Sequence, residues 1–311
     1  MTRVYIDCAL PSLTAGVDNS LSLMHDLGQT GLEVTAFSSR NAIKPSQSRL
    51  QELAQPYTRE DGLVFSLRDS GAEQSQDQMT ADWQCWIGSN KSSLTIGFSN
   101  PRLKFRMGPG NLQHELLLRA IKGRSRETSL RVVDCTAGLA RDAAIMASAG
   151  FQVAAVEQNV LLARLLQDSL SRCCNVGEDP RDLESTGAGM LQNLAVFAGD
   201  SIALMANGKL PAADVVYLDP MYDGGLKPSA AVKSEMQLLR RLSAWYHRDA
   251  ARSVVGSIDN RVAEHELLNT ARAFALKKVV VKRAPNAPYL ADCKPASSLG
   301  GKALRFDIYP C

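Results

Sequence analysis

Long apolar runs are missing from this sequence. No stretch of its 311 residues approaches the ~20 consecutive apolar positions that a membrane span needs, and no sustained apolar segment follows the early Asp7. The expectation is a cytoplasmic protein with no membrane association. Paired cysteine motifs are missing too. Cys8, Cys85, Cys135, Cys173, Cys174, Cys293 and Cys311 are odd in number and contain no Cys-x-x-Cys, which fits free thiols in a reducing compartment. The four histidines, His25, His114, His247 and His265, lack ligand spacing, so no metal is expected. There is also no Gly-x-Gly-x-x-Gly and no Gly-Lys-Ser/Thr, which argues against a nicotinamide dinucleotide site and a P-loop. Net charge is small: 35 Lys and Arg against 32 Asp and Glu leave +3, so overall charge identifies no polyanionic partner.

What is present is an ordinary globular composition, 45% hydrophobic and 22% charged, in a chain long enough for one large domain or two smaller ones. The cations are unevenly placed. Arg102, Lys104, Arg106, Arg119, Lys122, Arg124, Arg126 and Arg131 are opposed only by Glu115 and Glu127. Such a run is either a solvated face or a phosphate-contacting patch.

Along the first ninety residues, "RVYIDCAL", "GLEVTAF" and "LTIGFS" (Leu94–Ser99) read as strands, "QSRLQELAQ" as a short helix, and "RDSGAEQSQDQMTADW" as a polar loop. From Leu112 the pattern changes. "NLQHELLLRAIKG" sets Leu112, Leu116, Leu117 and Ile121 at helical spacing and stops at Gly123. Short apolar strands then alternate with helical stretches: "LRVVD", "FQVAAVE", "LAVFAGD", "DVVYLD", "KKVVVKR" and "LRFDIYP" against "RDAAIMASAG", "NVLLARLLQDSLSRC" and a long helix with Val232, Met236, Leu239, Leu242 and Tyr246 on one face. Near-continuous apolar strands alternating with helices predict a doubly wound, Rossmann-like α/β sheet covered on both faces.

Ligands of such sheets bind beyond the carboxyl ends of the strands. The first strand ends at Asp134 before "CTAGLARD", where Gly138 permits a tight turn; a purely structural turn is the other reading. The second ends at Glu157, placed to accept the hydroxyls of an adenosine ribose or else to cap the next helix. The third ends at Asp200-Ser201, which can read an adenine edge or cap a helix, and the fourth at Asp219-Pro220-Met221-Tyr222. Four acidic strand ends repel a pyrophosphate but suit a ligand with a ribose, an ammonium and a sulfonium; S-adenosylmethionine is such a ligand. In Asp-Pro-x-Tyr the carboxylate can hold a planar exocyclic amine, proline fixes the backbone, and Tyr222 can stack on a flipped base. The alternative is an Asp-Pro turn with Tyr222 packed on the sheet.

"VVDCTAGLARDAAIMASAGFQVAAVEQN", "VVYLDPMY", "VKSEM", "KKVVVKRAPNAPYLA", "RFDIY" and "KFRMGPGNLQHELLLRAIKG" together resemble the RsmJ-type ribosomal RNA small-subunit guanine-N2-methyltransferases over roughly Leu94 to Tyr309. The resemblance implies a methyltransferase domain over 93–311 behind a smaller α+β region, 1–92, whose role it leaves open. It implies S-adenosylmethionine as cofactor, with contacts at Arg141, Asp142, Glu157, Gln158, Asp200, Ser201 and Asp219, and catalysis by Asp219, Pro220 and Tyr222. Its implied partner is small-subunit rRNA or the small ribosomal subunit; no oligomeric state follows from it. Ala140 departs from the family's usual glycine, "RMGPGN" is less glycine-rich, "DGGLKP" replaces a more basic stretch, and residues are added between Arg241 and Leu267.

RNA contact is expected at Arg102, Lys104 and Arg106, and at Lys282, Arg283 and Tyr289, where cations leave a strand beside a Pro-bounded loop. A strand end with solvated charges and a core Tyr289 is the alternative. The Asp-Pro-x-aromatic motif by itself equally suits adenine N6 or a protein amide, and a non-catalytic RNA-binding protein of the same fold is a further reading.

Overall fold

The computed structural model describes residues 3–7, 33–37, 63–69, 81–87, 94–125, 127, 129–174, 188–220, 235, 237–240, 242 and 260–311. The chain divides into two compact units. The first comprises 1–99, 164–173 and 228–254. Its sheet contains β1 (Arg3–Asp7), β2 (Glu33–Phe37), β3 (Leu63–Asp69), β4 (Ala81–Ile87) and β5 (Leu94–Ile96) in the order β2-β1-β3-β4-β5. β1 pairs parallel with β2 and β3, while β3–β4 and β4–β5 are antiparallel. β5 is hydrogen-bonded to β4, and this compact unit runs on to Ser99. One expectation changes here. The polar segment read as a loop from Arg68 to Trp83 has strand at both ends, because β3–β4 pairing recruits Arg68, Asp69 and Ala81–Trp83. The helix expected at "QSRLQELAQ" lies outside the described residues.

The second unit holds the sheet that positions the site. It opens with three short helices, α1 (Pro101–Met107), α2 (Pro109–Leu112) and α3 (Leu116–Lys122). Asn100 starts α1, its Oδ1 accepting from the backbone N–H of Arg102 at 2.9 Å, with Pro101 at the first helical position. The single helix expected from Asn111 to Gly123 is interrupted, because Glu115 adopts extended backbone (φ −71°, ψ 113°). Gly123 ends α3 at φ +56°, a left-handed stop.

Then follow β6 (Arg131–Asp134), α4 (Arg141–Ser148), β7 (Gln152–Glu157), α5 (Val160–Cys174), α6 (Ala188–Leu191), β8 (Leu194–Ala198), α7 (Ser201–Ala206), β9 (Ala213–Leu218), α8 (Asn260–Phe274), β10 (Ala275–Arg283), β11 (Ser297–Gly300) and β12 (Arg305–Pro310), with residues 164–173 of α5 counted in the first unit. Strand order is β11-β12-β10-β9-β6-β7-β8. The five strands β8, β7, β6, β9 and β10 run parallel, and β12 is antiparallel to both neighbours. This is the doubly wound, Rossmann-like sheet expected.

β9 lies at its centre with all six residues buried, as a strand covered on both faces should be. One side packs Val216, Leu218, Val279 and Val281 against Leu268 and Ala271 of α8 and Met205 of α7. Asp214 is the one charge in β9; it accepts from the Arg131 backbone N–H at 3.0 Å and from Arg131 Nε at 3.2 Å. Of the predicted helix through Val232–Tyr246, the described residues are helical and Leu238 and Leu242 are buried; the remainder lies outside them. No helix among the described residues is long and apolar enough to cross a membrane.

Candidate active site

Strand order reverses at β6, with β7 and β8 on one side and β9 and β10 on the other. The loops leaving β6 and β9 therefore diverge, and a crevice opens at their carboxyl ends. The loop after β6 is tied down at each step. Thr136 N–H donates to Asp134 Oδ1 at 3.1 Å, Ala137 N–H to the Val156 carbonyl at 3.0 Å, and Gly138 N–H to Glu157 Oε2 at 2.8 Å. Gly138 and Ala140 are both left-handed, at φ +53° and +54°, and no side chain caps α4. An alanine thus holds a conformation that favours glycine.

The four acidic strand ends have different roles. Asp134 is buried at 2% exposure, and burial drives its pKa well above the usual carboxylate range. Its expected contact with a ligand is corrected: it is a footing for the Thr136 turn beneath the rim. Glu157 is partly exposed; besides Gly138 it accepts from Asn159 N–H at 2.8 Å. Burial lifts its pKa to about 7, with those two N–H groups only partly offsetting it. A desolvated carboxylate held by two backbone N–H groups has lone pairs left for hydroxyl donors, so the residues here fit a ribose diol. Asp200 is exposed and caps α7, its Oδ1 accepting from Ala203 N–H at 2.9 Å. Beside these, Arg141 and Ser201 are partly exposed and Gln158 is exposed.

Asp219 and Pro220 are half-buried beyond β9. The Asp219 backbone N–H donates to Thr136 Oγ1 at 2.6 Å, which locks the β9 loop to the β6 loop. The parallel register pairs Val281 with Leu218, so the next residue on β10, Lys282, comes alongside Asp219. Lys282 Nζ donates to Asp219 Oδ2 at 2.8 Å and to Asp142 Oδ2 at 2.7 Å, and Tyr217 OH donates to the same Asp142 oxygen at 2.7 Å. Burial opposes the charge on Asp142, but Lys282, Tyr217 and Arg106 outweigh it and hold the carboxyl below its ordinary value. For Asp219 burial prevails over Lys282, and its pKa is raised. Lys282 is partly buried, which opposes its charge, yet the two carboxylates raise its pKa. Tyr222 lies outside the described residues.

The expected RNA contacts separate into two groups. Arg283 is corrected: its side chain is 1% exposed and meets Glu264 of α8 at 3.5 Å, inside the protein. Lys282 is 25% exposed, with its ammonium paired to Asp142 and Asp219. Arg106 forms a two-pronged pair with Glu115, Nε to Oε1 at 2.7 Å and Nη2 to Oε2 at 2.8 Å, which occupies its fork. Arg102 and Lys104 stay exposed on α1, where the neighbouring Phe105 is 69% exposed. Tyr289 is 37% exposed, and the Arg305 guanidinium lies 5.0 Å from its ring centre. Arg305 also donates to the carbonyls of Pro285 and Ala287 at 2.6 and 2.7 Å, shaping the Pro-bounded loop.

Away from the strand ends, an open cleft of about 860 Å³ is lined by Arg119, Lys122, Arg124, Leu118, Phe151 and Leu299, among others. None of those three cations has an acidic partner among the described residues. Sequence reading missed Thr136, Tyr217 and Arg305, whose roles depend on partners 83, 75 and about 20 residues away. Among the described residues no cluster of three His, Cys, Asp or Glu side chains forms a metal site.

A model of the SAM-dependent methyltransferase family matches residues 75–311. Ribosomal RNA small subunit methyltransferase J of Alcanivorax borkumensis is 37% identical over 224 residues, covering 72% of this chain and 78% of that one. The protein of the same name from Pseudomonas aeruginosa is 33% identical over 287 residues, covering 92% and 97%. The crystal structure of a SAM-dependent methyltransferase from Neisseria gonorrhoeae matches with a TM-score of 0.57 and 24% identity over 99% of this chain and 96% of that one, a likeness of fold.

Proposed function

The chain belongs to the ribosomal RNA small subunit methyltransferase J family, within the SAM-dependent methyltransferases, and on that premise we propose that it methylates the N2 amine of a guanine in small-subunit rRNA. Its substrate is that rRNA, free or within the small ribosomal subunit, and it works in the cytoplasm. S-adenosylmethionine supplies the methyl group. Glu157 accepts the ribose hydroxyls of the cofactor, with the Gly138–Asp142 turn, Gln158 and Asp200-Ser201 around it.

The observation that carries the reading is Asp219. It sits where the strand order reverses, its backbone is pinned by Thr136, its Oδ2 is held by Lys282, and its Oδ1 has no partner among the described residues. The lone pair of a guanine N2 amine is delocalised into the ring, so the amine is a weak nucleophile. A carboxylate oxygen that accepts one of its N–H bonds orients the amine and favours lone-pair density directed at the methyl. As the N–CH₃ bond formed, the S–CH₃ bond of the bound sulfonium would break and leave a neutral thioether, and the nitrogen, then cationic, would shed one proton to Asp219 or to water. Catalysis is then largely alignment of two reactants. Pro220 fixes the backbone beside the base and Tyr222 stacks on it.

The RNA backbone runs over the unpaired cations of the second unit, Arg102 and Lys104 beside Phe105 on α1, and Arg119, Lys122 and Arg124 in the cleft, with Tyr289 as a further stacking face. Mass mapping of small-subunit rRNA nucleosides from cells lacking the protein tests this reading. One N2-methylguanosine disappears and returns with the wild-type chain; an unchanged map rejects it.

A further inference from the structure

Lys282 leaves β10 from a strand otherwise rich in valine, and its ammonium lies between two carboxylates from different elements. Asp142 comes from the first turn of α4 and Asp219 from the end of β9, at 2.7 and 2.8 Å. The side chain is 25% exposed, so most of its surface is committed to these contacts. Tyr217 OH fills a further position on Asp142 Oδ2, which keeps that carboxylate turned toward Lys282. Of the four carboxylate oxygens involved, both Oδ2 atoms are taken and both Oδ1 atoms have no partner among the described residues; Asp219, 38% exposed against 15% for Asp142, is the one that presents its Oδ1 to a ligand.

We propose that Lys282 is a positioning residue for methyl transfer: by binding Asp219 Oδ2 it turns Oδ1 toward the target amine and keeps the carboxylate ionised as an acceptor. This rests on the reading of Asp219 given above. The charged and titratable groups facing Asp219 are Lys282 and Arg283 from β10, Asp142 from α4, Asp134 from β6 and the neutral phenol of Tyr217 from β9 itself. Arg283 is drawn toward Glu264, and Asp134 and Asp142 are acidic, so Lys282 is the cation that keeps Asp219 charged. A protonated Asp219 has an O–H in place of one acceptor and holds the amine poorly. A buried ion pair that merely neutralises two acids predicts none of this.

The test measures kcat, KM for rRNA, S-adenosylmethionine affinity and the pH profile of kcat in Lys282→Met and Lys282→Arg, with thermal melting of each. In Lys282→Met, kcat falls about a hundredfold, as for a displaced reacting group. Cofactor affinity stays near wild type, and the acid limb of kcat moves to higher pH, because the group that held the Asp219 pKa down is gone. Lys282→Arg keeps the charge and the wild-type acid limb. If Lys282→Met melts early, Lys282→Gln, neutral but still a hydrogen-bond donor to both carboxylates, is read for the acid limb of kcat. An unmoved acid limb in the neutral variants overturns the proposal, as does a loss expressed only in cofactor affinity. If wild-type enzyme transfers no methyl to rRNA, the function itself fails, an outcome distinct from either.

Discussion

At the carboxyl ends of β6, β7, β9 and β10, charged side chains are tied to partners: Asp134 to Thr136, Glu157 to Gly138 and Asn159, and Lys282 to Asp142 and Asp219. On α1–α3 and the turn after them, Arg102, Lys104, Arg119, Lys122 and Arg124 reach solvent with no acidic partner among the described residues, and only Arg106 is paired. Both regions belong to the second unit. The contrast follows from what each must hold. A transferring methyl tolerates little misalignment, so its surroundings are fixed in advance. A polyanionic backbone is gripped by many weak, screened contacts, each needing a cation that no carboxylate already occupies.

The comparison breaks most visibly at Asp219. Asp219→Ala removes the acceptor and leaves Lys282 facing Asp142 alone. Methyl incorporation into rRNA is expected to fall in kcat by about a hundred- to a thousandfold, with RNA binding unchanged in a filter assay. Glu157→Gln comes next. An ionised carboxylate accepts two hydroxyls, so cofactor affinity in the wild type weakens by about tenfold per pH unit below the Glu157 pKa, which lies at about 7. Folding responds with the opposite sign. The folded pKa lies above that of the unfolded chain, so this group's contribution to stability is full at low pH and is lost as pH rises through about 7. In Glu157→Gln, titration calorimetry at pH 8 gives about ten- to a hundredfold weaker cofactor binding, and the pH dependence that this carboxyl adds is gone.

The unpaired cations answer to salt. Replacing Arg119, Lys122 and Arg124 together by glutamine leaves kcat and cofactor affinity intact, since all three are exposed in a cleft away from the strand ends. The slope of log affinity for rRNA against log salt becomes shallower by about two to three. An unchanged slope removes this cleft from the RNA path and leaves the comparison with only one cationic patch, on α1.

The regions also differ in how far they can be read from sequence. β6, β7, β8 and β9 are short apolar runs with an acid at their end or within two residues after it, and both features are local. What those acids do depends on neighbours brought together by parallel register. Lys282 reads as a cation leaving a strand, and only the alignment of β10 with β9 turns it inward. Arg283 was misread for the same reason, its partner Glu264 lying on a helix inside a segment read as added residues. α8 itself was missed because "NRVAEHELLNTARAF" shows a narrow apolar stripe amid charges, with Leu268 and Ala271 as its buried contacts. β11, "SSLG", has little strand propensity; it pairs with β12, and Ser298 Oγ donates to the buried Asp307 at 2.6 Å. The unpaired α1–α3 cations were legible as a run, but sequence alone did not show that Glu115 would claim Arg106.

The smallest expected effect concerns left-handed backbone, where the two regions again part. Ala140, ahead of α4, has φ +54° and is fully buried, whereas Gly123, at the end of α3, has φ +56°. Ala140→Gly relieves about 1–2 kcal/mol of left-handed strain. It forfeits a buried methyl worth about 0.8 kcal/mol and adds about 0.5–1 kcal/mol of unfolded-chain entropy. These terms nearly cancel, so the melting temperature should move by no more than about 2 °C. Gly123→Ala has nothing to offset the same strain, and its new Cβ would lie 2.9 Å from Lys278 Nζ, which donates to the Ala120 carbonyl at 2.8 Å. It should cost at least about 1–2 kcal/mol, read as a fall of several degrees. A rise for Ala140→Gly as large as the fall for Gly123→Ala would mean that the turn before α4 carries no compensating packing. The alanine there would then be an unrelieved cost of this chain's departure from its family's usual glycine.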